Sequence, residues 1–362
     1  MAGFKPGRHN SIRYLHGFWT TWGFFQGLTA ESSDLGRSGD GFVANGINAL
    51  RSNQQLLYAT AGTVGGALGA VLADILVGDG EENYVVVNQF RLVVEMGLWS
   101  AAFASVLGFM LFAAGEWYRR HDLTASRGAQ VLGASALAGF VSGAAAQVLF
   151  NMDVGSFELK FYALRILAWS LMGAMLGAML SKAVPNLGLI RGIGAGAIGG
   201  AVGCMGFLLA SMFLPGLAGR VTGIAVLGLA LGLAMYFVQS MAREASVEVE
   251  WAPYETSHVG LGAQPIFVGG GGEEHIFKKG LPPQVSSLVF KDGLVEHIET
   301  ATGKRTPLVD GSRLRIGGLM MVVHAPIMGS APQKNQNLPV AVAVVATVVM
   351  AAIAFTLLGP RP

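Results

Sequence analysis

The chain reads as an α-helical membrane bundle of six spans, built as three glycine-rich hairpin repeats. A small all-β sandwich and a C-terminal transmembrane helix follow it. Three observations carry this reading. Six long apolar stretches lie between residues 57 and 241, short period-two strands separated by glycine turns fill 244–326, and a last unbroken apolar stretch fills 338–358. Only 13% of the 362 residues are charged and 52% are hydrophobic, against about 25% charged in soluble domains. Apolar residues gathered in runs of that length belong in lipid.

The six spans are expected at about 57–78, 92–114, 129–150, 162–182, 189–213 and 221–241, each near the ~20 residues a helix needs to cross the hydrocarbon core. The odd spans share a small-small-x-x-small pattern: Gly65-Gly66-x-x-Gly69, Ala138-Gly139-x-x-Ser142 and Gly199-Gly200-x-x-Gly203. The even spans each follow an arginine, Arg91, Arg165 and Arg220, and the last two carry Gly173/Gly177 and Gly228/Gly232 at the same offset. In the first copy Trp99 and Phe103 stand at those offsets. Small residues four apart let helix backbones approach where lipid gives no hydrophobic reason to associate. The GxGxxG-like string within 192–203 has no preceding strand and no acidic partner, so it reads as helix packing and not as a dinucleotide site.

Residues 1–56 hold an aromatic stretch, 11–28, with Trp19, Trp22, Phe18, Phe24 and Phe25, and then a polar loop. Amphipathic rings favour the headgroup region, so 11–28 is expected to lie on the membrane as an interfacial helix. A short extra span is the other option. No cleavable signal peptide is evident. The stretch 338–358 has no charge and no glycine, follows a linker at 327–337, and reads as a lone anchor. Basic residues gather in alternate loops: Arg119, Arg120 and Arg127 after span two, Lys182 and Arg191 after span four, Arg243 after span six. Positive-inside then places the N-terminus and the β domain in the cytoplasm, in a plasma membrane of bacterial type.

Intramembrane charges are functional candidates by default. Glu95 is the clear case, and its i, i+4 spacing from Arg91 allows the two to pair along the helix. Arg165 and Arg220 join them as candidate membrane charges, and Asp74 is expected to reach the interface. Cys204, the single cysteine, sits in an apolar run. Net charge is +2, too small to point to nucleic acid. There is no GxSxG or HExxH, and the seven histidines (His9, His16, His121, His258, His275, His297 and His324) are scattered. The sequence predicts no enzyme, no cofactor and no metal site.

Strands are expected at 246–251, 265–268, 286–290, 294–299, 313–316 and 319–323, separated by Gly269–Gly272, Asp292-Gly293, Thr302-Gly303 and Asp310-Gly311. Such grammar indicates a β-sandwich. Three stretches carry a more specific likeness: IFVGGGGEEHIF (266–277), PQVSSLVF (283–290) and DGLVEHIETATGKRTPLVDGSRLRIGG (292–318). In this order they resemble the forkhead-associated (FHA) domain, over about 80 residues. The resemblance implies a phosphothreonine-reading module, so the partner would be a cytoplasmic protein carrying phosphothreonine. The family's positions depart, however. Its arginine after the first glycine is Gly270 here, its serine is Ser286, and its histidine three residues on is Val289; its Asn-Gly turn is Thr302-Gly303. An arginine–phosphate contact is about twice as strong as a neutral hydrogen bond, so weak phosphothreonine binding is expected. The candidate partner-binding residues are Ser286, Ser287, Thr302, Lys304 and Arg305. Two functional classes fit this chain: a membrane-anchored signalling scaffold that recruits a cytoplasmic protein through a degenerate FHA-like domain, or a channel or transporter regulated by that domain.

Overall fold

The protein is described by a computed structural model. It describes residues 50–326 apart from 52, 78–88, 122, 152–158, 183–185, 215, 242, 244, 253–254 and 272–273, with the side chains of 159–161 also left out. The expected interfacial helix at 11–28, the linker at 327–337 and the last span at 338–358 lie outside the described residues.

Among the described residues, six helices are long and apolar enough to cross a membrane. They are α1 (Gln54–Val77), α2 (Gln89–Tyr118), α3 (Ala125–Asn151), α4 (Arg165–Ser181), α5 (Leu189–Phe213) and α6 (Gly216–Met241), with a π-helical turn, Leu159–Leu164, leading into α4. Each helix packs on the next and α6 returns to α1. Helices cover all six stretches expected between 57 and 241, and several run a few residues further than the hydropathy suggests.

Glycine decides which helices touch backbone to backbone. A methyl group on Gly66 would run into the Ile224 carbonyl, one on Gly139 into the Ser100 carbonyl, and one on Gly200 into the Trp169 carbonyl. These are the α1–α6, α3–α2 and α5–α4 seams, and each is met by the second small residue of the odd-helix pattern. The neighbouring contacts keep step. Gly62 meets Gly228, and Gly196 meets Gly173. The third small residue works on the other side of the odd helix: a methyl on Gly69 would stand 2.7 Å from the Phe103 carbonyl oxygen, and one on Gly203 would stand 2.7 Å from Leu227 Cα. In α3 the corresponding positions hold Ala138 and Ser142 instead of glycine. The α3–α4 seam is the loosest between consecutive helices. Across it the Ser135 hydroxyl donates to Met179 Sδ at 3.3 Å.

This register corrects the alignment suggested by the arginines. Ser100 of α2 takes the place of Trp169 and Ile224, so Ala104/Gly108 match Gly173/Gly177 and Gly228/Gly232, and Met96 matches Arg165 and Arg220. Arg91 sits five residues further out, about 7.5 Å along a helix. The same register lines up the bundle core: Phe103, Leu107 and Leu111 on α2, Met172, Leu176 and Leu180 on α4, Leu227, Leu231 and Met235 on α6, all buried in one apolar cluster.

The C-terminal region holds nine strands in two sheets. One runs β2-β1-β9-β8 and the other β4-β3-β5-β6-β7. The strands are β1 (Ala245–Ala252), β2 (Glu255–Leu261), β3 (Ile266–Gly269), β4 (Ile276–Phe277), β5 (Ser286–Lys291), β6 (Leu294–Glu299), β7 (Arg305–Leu308), β8 (Arg313–Ile316) and β9 (Leu319–His324). All pairs are antiparallel except β3–β4. Alternate residues point into one core shared by both sheets, including Val247, Val249, Met321 and Val323 from one and Ile266, Val268, Leu288 and Val295 from the other. Asp292 and Gly293 both take positive φ, 54° and 81°, which is what a two-residue hairpin between twisted strands demands. The expected strands all form, and β2, β4 and β7 are additional. β2 has little apolar pattern of its own; it pairs along its length with β1 and meets the bundle.

Candidate functional site

The end of the bundle that carries the β domain is polar and bonded. At the C-terminus of α2, Glu116 is buried, ion-paired to Arg119 and 3.1 Å from His121 Nδ1. Two residues on, the Tyr118 hydroxyl accepts the His258 backbone N–H of β2 at 2.9 Å. Asn186, after α4, accepts the Gln264 N–H at 3.2 Å and donates to the carbonyls of Gly260 and Gln264. Glu255 of β2 is ion-paired to Arg120 and lies 3.4 Å from Arg51 Nε. The two guanidinium groups stack in turn: Arg51 lies over Trp117 at 5.4 Å and Arg120 over Trp251 at 4.9 Å. Burial and the nearby Arg120 make the Arg51 guanidinium less basic than usual. Ion pairs, with aromatic faces against the guanidinium groups, connect the domain to the bundle.

Between the two parts lies a small cavity. Its walls include Gln54, Tyr58, Tyr118, Gln239, Arg243 and His258. Gln54 Nε2 donates to Gln239 Oε1 at 3.0 Å, Gln239 Nε2 donates to the Tyr58 hydroxyl at 3.4 Å, and Arg243 donates to Gln54. The sequence offered one sign of this junction, the arginines after spans two and six. Three of the basic residues counted for orientation, Arg119, Arg120 and Arg243, have partners here within the protein.

The sequence-predicted partner surface is only partly assembled. Ser286 and Ser287 begin β5, next to the end of β6 and the β6–β7 turn, where the Glu299 N–H donates to the Lys304 carbonyl at 3.0 Å. Thr302 and Lys304 are exposed in that turn, and the Thr302 hydroxyl donates to Glu299 at 2.6 Å. Arg305 is exposed on β7, 3.6 Å from Glu296. The two serines are corrected: Ser286 is 1% and Ser287 8% exposed, because β5 is central in its sheet and covered on both faces. Neither hydroxyl is offered to a partner.

The place of the expected arginine is closed as well. A side chain at Gly270 would meet the Leu281 carbonyl and come within 2.9 Å of the Lys278 carbonyl. Glu274 is buried beside it, and one carboxylate oxygen accepts the N–H groups of Gly271 and Gln284, each at 3.0 Å. An internal carboxylate thus holds backbone donors on this loop, and its charge repels an incoming anion.

The membrane charges sort by partner. Arg91 and Glu95 pair at 2.6 Å, as the spacing predicts, and Arg91 is exposed. Arg220 pairs with Asp74 at 3.0 Å, and Trp99 donates to the other Asp74 oxygen at 2.8 Å. Asp74 therefore joins α1, α2 and α6 instead of simply reaching the interface. Arg165 lies over the Phe207 ring at 6.0 Å. Cys204 is buried.

The histidines are not all scattered. Glu248 and His258 face each other across β1 and β2, and His324 stands opposite Ser246 on β9. His324 Nε2 lies 3.0 Å from Glu248, and the two histidine rings are 6.2 Å apart. Searches against family models, curated proteins and solved structures found no match for this chain.

Proposed function

We propose that the chain is a membrane-anchored scaffold whose FHA-like domain recruits a cytoplasmic protein and works without catalysis. The observation that carries this reading is the contrast between the two ends of the design. The centre of the bundle is filled by large buried apolar side chains, Phe103, Leu107, Leu111, Leu176, Leu227, Leu231 and Met235 among them, whereas a conducting path needs polar lining. A polar cluster at one end, Tyr118, Glu116, Arg120 and Arg243 among it, holds the β domain, and the Asp74–Arg220 pair at the other end ties helices together. In this reading the bundle is three copies of one hairpin, with the close seams repeating at matching positions, and its task is to be rigid. Holding the domain at the bilayer raises its effective concentration toward membrane-associated partners, so a weak contact suffices.

Thr302, Lys304 and Arg305, on the β6–β7 turn and β7, are the surface we assign to the partner. The closed Gly270 loop and the buried Glu274 support weak phosphothreonine binding; the partner is a protein surface with acidic groups, phosphorylated or not. The domain is placed in the cytoplasm on the arginine bias. A cysteine at Lys304, which is exposed where Ser287 is not, then stays unlabelled by an impermeant thiol reagent on intact cells. The test of function is twofold. Purified protein in liposomes should pass no ions, and a cytoplasmic protein should co-purify with the wild type and be lost on Lys304→Glu plus Arg305→Glu. Selective flux from the reconstituted protein would replace this reading with a channel or transporter.

A further inference from the structure

We propose that Glu248, His258 and His324 form a binding site for a divalent transition metal of the zinc class. The three side chains come from adjacent strands, β2, β1 and β9, on the outer face of the four-stranded sheet. Their donor atoms all lie within 4.8 Å of one another. A tetrahedral zinc with bonds of about 2.0–2.1 Å places its ligands roughly 3.4 Å apart. Side-chain rotation of about an ångström therefore closes the set, and the paired strands hold the backbone where it is.

The donor chemistry is selective. Two imidazoles and one carboxylate suit zinc and its neighbours, whereas calcium and magnesium take oxygen ligands. Three protein ligands leave a fourth position for water or another group. His258 and Glu248 are half-buried, and His324 is exposed. His258 also lines the cavity between the bundle and the β domain. The nearby positive group is Arg243, whose guanidinium is bonded to Gln54. The structural consequence is a clasp. A metal here ties β9 to β1 and β2, and β2 is the strand bonded to Tyr118 of α2.

The experiment uses the full chain in detergent, purified with a tag that lacks histidine and stripped with chelator. Cobalt(II) is titrated as a coloured probe and then displaced with zinc. The expected result is one cobalt per chain with ligand-field absorbance. That absorbance should be lost in Glu248→Gln and His324→Ala and kept in His297→Ala, a histidine outside the cluster. Thermal unfolding should shift upward with zinc in the wild type and not in His324→Ala. His324→Cys, which replaces one ligand by another, should restore binding and so separates loss of the site from loss of the fold. No stoichiometric cobalt binding by the wild type, or binding unchanged in His324→Ala, overturns the proposal.

Discussion

Gly196→Ala is the sharpest test of the bundle. Gly196 sits in the α4–α5 seam, where a methyl carbon would stand 2.6 Å from the Gly173 carbonyl carbon and 3.1 Å from Gly177 Cα. Carbon atoms rest at about 3.5–4.0 Å, so the two helices have to part by roughly 1 Å. A gap of that size forfeits about a quarter to a half of each dispersion contact along the seam. Gly173, Gly177, Gly192 and Gly200 share the seam and lose contact together. Overpacking of a closed site costs about 1–3 kcal/mol. Gly133→Ala is the control, because nothing lies within 4 Å of a methyl there, and alanine's better helix propensity favours it by up to ~1 kcal/mol. Unfolding in mixed micelles, with Trp169 of α4 among the tryptophans that report by fluorescence, compares the two. Gly196→Ala should lose about 1–3 kcal/mol while Gly133→Ala loses nothing. A Gly196→Ala bundle within ~0.5 kcal/mol of wild type, the range of an ordinary surface change, would refute close approach as the basis of packing.

Three further outcomes are expected. Asp74→Ala should destabilise the bundle by roughly 2 kcal/mol, short of the ~3–5 for a fully buried pair, since Arg220 is 29% exposed; Glu95→Ala should cost only about 0.3–0.5 kcal/mol because its partner is in the open, and the same micelle titration ranks them. Gly270→Arg, which puts arginine where the FHA resemblance expects one, should unfold the β domain and create no phosphate site, as read by loss of the near-ultraviolet circular dichroism and by calorimetry with a phosphothreonine peptide. Burial makes His275 and His297 less ready to take a proton than in the unfolded chain. Stability is then full above the ordinary histidine value of about 6.5 and falls as pH drops below it, because the unfolded chain binds protons first. Melts between about pH 8 and pH 5 should show this fall, and His275→Gln plus His297→Gln should reduce it, with His258, also held below its ordinary value by burial, contributing to what remains.

Much of this architecture was written along the chain. A membrane span announces itself through its own ~20 residues, so all six were legible, as were the six period-two strands and the hairpin at Asp292-Gly293. Local pairs were legible for the same reason: Arg91 and Glu95 are four apart on one helix, and helix geometry alone brings them together. What depends on two distant segments was not. Asp74, Trp99 and Arg220 meet only when α1, α2 and α6 close on one another. Ser286 and Ser287 read as accessible hydroxyls because nothing local says that β5 is central and covered. β2 was not among the expected strands, and it forms because β1 pairs with it and the bundle meets it. The helix register was misleading where it relied on Arg91, an exposed charge that tolerates many heights; glycines at backbone contacts tolerate one. His258 and His324 lie far apart in sequence and became neighbours through the pairing of β2, β1 and β9. Sequence fixes what a segment needs from its surroundings, and tertiary structure decides which distant residue supplies it, because contact energy falls off within ångströms while the chain carries no record of which segments will come that close.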